Sequence, residues 1–136
     1  MADAIAPTTT GPRGNGEHIL LVDDDVAVTR AISKTLEQAG YRVTAHTQPQ
    51  TALDEFRFSP QVFDLVITDL SMPGLTGLQV SQQLLRLRPA LPIMLVTGFG
   101  GEWEQGTLES AGIRKVVIKP FHPQSILWLV HDVLNP

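Results

Sequence analysis

The chain has 136 residues, 43% hydrophobic and 18% charged, with a formal net charge of -4 and no cysteine. That size suits one domain around one core. The acidic balance argues against a general nucleic-acid surface, and the lack of cysteine excludes disulfides and thiolate metal sites while fitting a reducing cytoplasm.

Residues 1–16 carry Pro7, Thr8, Thr9, Thr10, Gly11, Pro12, Gly14 and Gly16 with little to bury, so they read as a flexible tail or linker ahead of a domain over 17–136. They lack the apolar core of a secretory signal. Residues 18–23 predict a buried strand. Residues 26–39 set Val28, Ile32, Leu36 and Ala39 at helical spacing and stop at Gly40. A short strand over 42–46 precedes a helix over 50–57 with Ala52, Leu53 and Phe56 on one side. Residues 64–69 predict the central strand. A loop with Pro73, Gly74 and Gly77 then leads to a helix near 77–87 that Pro89 closes. A fourth strand covers 92–97. The stretch 102–111 is a poor helix, because Gly106 costs roughly 1 kcal/mol relative to alanine. The fifth strand is 115–118 and the last helix 123–134. No apolar run is long enough to insert in a membrane.

Five βα units imply a parallel sheet covered on both faces, with right-handed crossovers. Alternation alone does not fix the strand order. What the strands deliver is more informative. Ile19–Val22 runs into Asp23, Asp24 and Asp25, Leu65–Thr68 into Asp69, Ile93–Val96 into Thr97, and Val116–Ile118 into Lys119. Apolar runs that end in a polar residue are the pattern of buried strands presenting functional groups at their carboxyl ends. Clustered carboxylates bind a hard divalent cation, and a lysine and a hydroxyl beside them suit a phosphoryl group.

These segments, together with Met72-Pro73-Gly74 after Asp69, resemble the receiver domain of two-component response regulators over roughly Glu17 to Leu134. The resemblance implies a flavodoxin-like (βα)5 three-layer sandwich in strand order 2-1-3-4-5, with its site at the topological switch point. It implies Asp69 as phosphoacceptor, with Asp23 and Asp24 as the acidic pair that holds Mg²⁺ (or Mn²⁺) and the backbone carbonyl of Ser71 as a further ligand. Thr97 is expected to donate to a phosphoryl oxygen, and Lys119 to neutralise another as a compact point charge. The Lys119–Pro120 bond is cis in the family.

Asp25 has a plainer reading, as the cap of the first helix. A register shifted by one would make Asp24 and Asp25 the pair, but counting from Val22 favours Asp23 and Asp24. His18, His46, His122 and His131 show no ligand spacing and no adjacent carboxylate pattern. Gly98, Gly100 and Gly101 do not form a nucleotide loop; they let a loop approach the site. Two features depart from the family pattern: Val116 stands where a switch aromatic is common, and the helix over 102–111 is weak.

The function implied is transfer of a phosphoryl group from phosphohistidine on a histidine kinase or histidine phosphotransfer protein to Asp69. Such a domain promotes its own phosphorylation and dephosphorylation and turns over no free substrate. The alternatives are a phosphate-independent interaction module, which usually lacks part of the acidic and lysine set, and a haloacid-dehalogenase-type phosphatase. The phosphatase needs a second Asp where Ser71 stands. An FMN binder is disfavoured because Asp23, Asp24 and Asp25 would repel its phosphate. The passage Gly16–Asp23 behind a tail also resembles receivers at the end of hybrid sensor kinases, with a stand-alone cytoplasmic regulator as the other context. No effector domain follows Pro136, so direct action on DNA is not expected. On the last helix Trp128 points away from Ile126, which makes it a candidate contact for a partner or for a homodimer.

Overall fold

The computed structural model describes residues 11–98 and 105–136, backbone only at 105–107. The apolar runs become strands β1 (His18–Val22), β2 (Arg42–His46), β3 (Leu65–Asp69), β4 (Ile93–Thr97) and β5 (Lys115–Ile118). Between and after them lie helices α1 (Val26–Gln38), α2 (Pro49–Phe58), α3 (Gly77–Leu87), α4 (Gln105–Ser110) and α5 (Ser125–Leu134). Every strand pairing is parallel, and the sheet order is β2-β1-β3-β4-β5. This is the flavodoxin-like arrangement, with the order reversing between β1 and β3.

Alternate strand residues feed two separate cores, as the period of two requires. Leu20, Val22, Val66, Ile93 and Leu95 pack with Ala52, Leu53 and Phe56 of α2, Val80 and Leu84 of α3 and Leu108 of α4. On the other face Ile19, Leu21, Leu65, Ile67, Met94 and Val96 meet Ile32 and Leu36 of α1 and Ile126, Leu127, Val130 and Val133 of α5. Because both faces are covered, β1, β3 and β4 are buried at consecutive positions and mostly apolar rather than alternating.

Helix ends follow local chemistry. The Asp25 carboxylate accepts from the Ala27 and Val28 amides and caps α1, and a positive-φ glycine, Gly40, follows its C-terminus. Thr76 and Gln79 form a reciprocal capping box at the start of α3. Helix α4 is described over Gln105–Ser110, with Gly106 inside it; the expected helical residues 102–104 and the loop glycines Gly100 and Gly101 lie outside the described residues.

One expectation differs from the structure. Composition places the break between tail and domain at Gly16, yet the stretch from Gly11 already lies on the domain. Gly14 N–H donates to Ala39 O at 2.7 Å and Gly16 N–H to Gly40 O at 2.8 Å. Arg13 reaches Gln38 O, and Gly11 sits against Leu127 and Trp128 of α5. The sequence hides this because the contacts are backbone hydrogen bonds, glycine approaches and arginines reaching carbonyls, none of which needs an apolar side chain. A Cβ at Gly14 would overlap the buried Tyr41 ring. Residues 1–10 lie outside the described residues.

Candidate functional site

The carboxyl ends of β1 and β3 are neighbours in the sheet, so their acidic residues meet. Asp23 and Asp69 are 1% and 6% exposed, whereas Asp24 faces solvent. One oxygen from each of the three carboxylates can be chosen so that all lie within 4.8 Å of one another. From β5, Lys119 Nζ reaches Asp23 Oδ2 and Asp69 Oδ2, each at 3.4 Å. Thr97, ending β4 between β3 and β5, is buried, and its carbonyl takes the Lys119 amide at 2.7 Å. The Lys119–Pro120 peptide is cis.

Asp23 is held from three sides. Its amide donates to His46 O at 3.1 Å, its Oδ1 accepts from the Asp25 amide at 2.9 Å, and its carbonyl accepts from the Thr29 hydroxyl at 3.0 Å. At Asp69, Oδ1 takes a longer bond from the Ser71 amide at 3.4 Å. Gly77, the first residue of α3, lies so close that a Cβ there would overlap the Asp69 carbonyl. Glycine at this position lets α3 start directly beneath the end of β3.

Burial raises the pKa of Asp23, against the pull of the Asp25 amide and Lys119. Burial also raises Asp69, with the Asp23 charge adding to it and Lys119 opposing. For Lys119 burial alone would lower the pKa, but the two carboxylates together outweigh it and leave it raised. Three carboxylates against one ammonium leave a formal surplus of two negative charges. An all-oxygen donor set with that surplus fits a hard divalent cation.

Of the other residues singled out in the sequence, Asp25 serves the α1 cap. Val116 packs against the α2–α4 side core. Trp128 is 59% exposed on α5, remote in sequence and element from the acidic cluster. The histidines have local partners, and His46, at the end of β2, has a carboxylate beside it. Its Nε2 lies 2.7 Å from Glu55 Oε1 and its Nδ1 2.9 Å from Thr51 Oγ1. Helix α2 returns Glu55 over the end of β2, a juxtaposition that sequence spacing does not show. His18 tilts against Phe63 and meets Thr44 Oγ1; burial, then Arg42, lowers its pKa. Sequence reasoning missed Thr29 and the contact role of Gly77. A glycine opening an otherwise strong helix was the available signal for the second, and nothing in the sequence marked the first.

A family model for the response regulator receiver domain matches residues 19–131. The chain belongs to the response regulator receiver family. It is 32% identical over 118 residues to the response regulator receiver protein CpdR of Brucella abortus, covering 87% of this chain and 97% of that protein. To the transcriptional regulatory protein CreB of Escherichia coli it is 30% identical over 119 residues, 88% of this chain but only 51% of CreB. Among solved structures, chemotaxis protein CheY4 of Vibrio cholerae superposes with a TM-score of 0.80 at 26% identity, covering 87% of this chain and 98% of that one. The response regulator TrrA of Thermotoga maritima, solved with Mg²⁺ and BeF, gives 0.75 at 26% identity over 86% of this chain and 98% of that one. Among the described residues of this receiver domain, no helix is long and apolar enough to cross a membrane.

Proposed function

We propose that this receiver domain takes a phosphoryl group from phosphohistidine onto Asp69, with Mg²⁺ held by Asp23, Asp24, Asp69 and the Ser71 carbonyl. The observation that carries the reading is Lys119 Nζ placed 3.4 Å from both Asp23 and Asp69 at the end of the central strands. An Asp69 carboxylate oxygen forms the new O–P bond while the P–N bond breaks and its electron pair returns to the donor imidazole. Lys119 meets one phosphoryl oxygen as a positive charge, and Thr97 donates its hydroxyl to another. Bound Mg²⁺ supplies charge neutralisation and a template for the transferring group. Asp23, Asp69 and Thr97 stand buried at the ends of packed strands, so the domain contributes orientation and electrostatics and turns over no free substrate. The donor is a histidine kinase or a histidine phosphotransfer protein, and Mn²⁺ can stand in for Mg²⁺. With Val116 in place of a switch aromatic, we assign no ring-gated output. Trp128 is our candidate contact for a partner or second copy, on a face that Gly11 already touches.

The metal assignment gives a direct test of the acidic register. In NMR titrations of the unphosphorylated protein, Asp24→Ala should weaken Mg²⁺ binding at least tenfold, while Asp25→Ala, which removes only a helix cap costing about 1 kcal/mol of stability, leaves it nearly unchanged. Mass spectrometry with acetyl phosphate should show one added phosphoryl group with Mg²⁺ and none with EDTA. Metal-independent modification, or the reverse ranking of the two variants, would count against the reading.

A further inference from the structure

We propose that Thr29 is a positioning residue for the acidic loop: its hydroxyl fastens the Asp23 carbonyl to the first turn of α1 and so holds Asp23 and Asp24 in ligating geometry. Thr29 is 7% exposed, and its Oγ1 lies 2.8 Å from Asp25 O and 3.0 Å from Asp23 O. The contact with Asp25 O is the ordinary back-bond of a helical threonine. That carbonyl already accepts the Thr29 amide at 3.0 Å, so it does not depend on the hydroxyl. The contact with Asp23 O is different. Asp23 lies before the helix cap, in the segment that turns from β1 into α1, and helical geometry alone supplies no donor to its carbonyl.

The hydroxyl therefore links two elements through one proton shared between the Asp25 and Asp23 carbonyls. Asp23 is pinned at its amide by His46 O, at its carboxylate by the Asp25 amide, and at its carbonyl by Thr29. Without the third link the peptide between Asp23 and Asp24 gains freedom, and the conformer in which both carboxylates face Asp69 is diluted. Apparent metal affinity falls by the fraction of competent conformer lost. A chain with Thr29 intact has that ordering built in before the cation arrives.

The inference rests on the phosphoacceptor reading for its purpose, but its structural part is measurable without it. In metal-free protein, hydrogen exchange of the Asp25 amide, which donates to the Asp23 carboxylate, should quicken about five- to tenfold in Thr29→Val. Thr29→Ser, which keeps the hydroxyl, should restore it. The Mg²⁺ concentration for half-saturation should rise by a similar factor in Thr29→Val and recover in Thr29→Ser. At saturating Mg²⁺ the phosphorylation rate should return to within about twofold of wild type, a split that a general loss of packing would not produce. Thr29→Ala provides a second hydroxyl-free variant with high helix propensity should valine disturb folding. Unchanged Asp25 exchange and unchanged Mg²⁺ demand in the hydroxyl-free variants would overturn the inference, as would a drop in thermal stability alone. Failure of the wild-type protein to bind Mg²⁺ would instead overturn the phosphoacceptor reading, with Asp25 exchange still deciding whether Thr29 holds the loop.

Discussion

Lys119→Met is expected to slow capture of a phosphoryl group from a small phosphodonor by about 10²- to 10³-fold, the effect of removing one preorganised charge from a transition state. The same substitution should tighten Mg²⁺ binding. Lys119 is 3.4 Å from two of the carboxylates offered to the cation, and deleting its positive charge removes a repulsion. Slower chemistry with tighter metal separates a group that acts on the phosphoryl oxygens from one that merely keeps the site folded. Lys119→Arg should rescue poorly, since a planar fork cannot replace a compact ammonium between two carboxylates. Rates within about threefold of wild type at saturating Mg²⁺ would remove Lys119 from the chemistry.

Without metal, Asp69→Asn should stabilise the fold at pH 7–8, by something on the order of 1 kcal/mol, or roughly 2–8 °C in Tm. Burial raises the pKa of Asp69 and Asp23, and Asp23 raises Asp69 further. Between the usual carboxylate value near 4 and these raised values, the native state binds more protons than the unfolded state. Stability therefore falls as pH rises through that window, and the penalty persists above it. Removing one carboxylate should flatten the fall, and the gain should vanish well below about pH 4, where the carboxyl is protonated in both the folded and the unfolded chain. Lys119 works in the opposite sense: its raised pKa contributes stability that is present below the ordinary lysine value and lost as pH passes the raised one. With saturating Mg²⁺ the ranking of wild type and Asp69→Asn should reverse, because only the wild type gains the full stabilisation from binding. Thermal melts in EDTA and in Mg²⁺ across about pH 3–8 read the carboxylate part of this. An Asp69→Asn variant less stable than wild type at pH 8 in EDTA would refute the electrostatic account.

Much of this is legible in the chain because the fold and the site share one signal. A strand buried on both faces must be apolar to its end, so the first polar residue after it stands out. Asp23 and Thr97 come into view in this way, whereas Asp69 follows a buried Thr68 and Lys119 an exposed Ile118, so these two stand out only as charged ends of short apolar runs; the sheet order then brings all four together. Helix α5 is nearly as legible, with Ile126, Val130 and Val133 inward and Trp128 outward, although Leu127 proves equally buried. Less visible is whatever depends on backbone groups or on turns that close long loops. The stretch Gly11–Gly16 lies on the domain through amides and carbonyls, and His46 meets Glu55 only because α2 folds back over β2. Thr29 is one threonine on an amphipathic helix, and its importance comes from a carbonyl six residues earlier.

The central claim is that Asp69 carries the phosphoryl group. Borohydride trapping after acetyl phosphate and Mg²⁺ converts an acyl phosphate at aspartate to homoserine, which peptide mapping then locates. The account predicts homoserine at position 69 alone, and no trapped product in Asp69→Asn. Homoserine at position 23 or 24, or phosphate on a hydroxyl that survives Asp69→Asn unchanged, would contradict it.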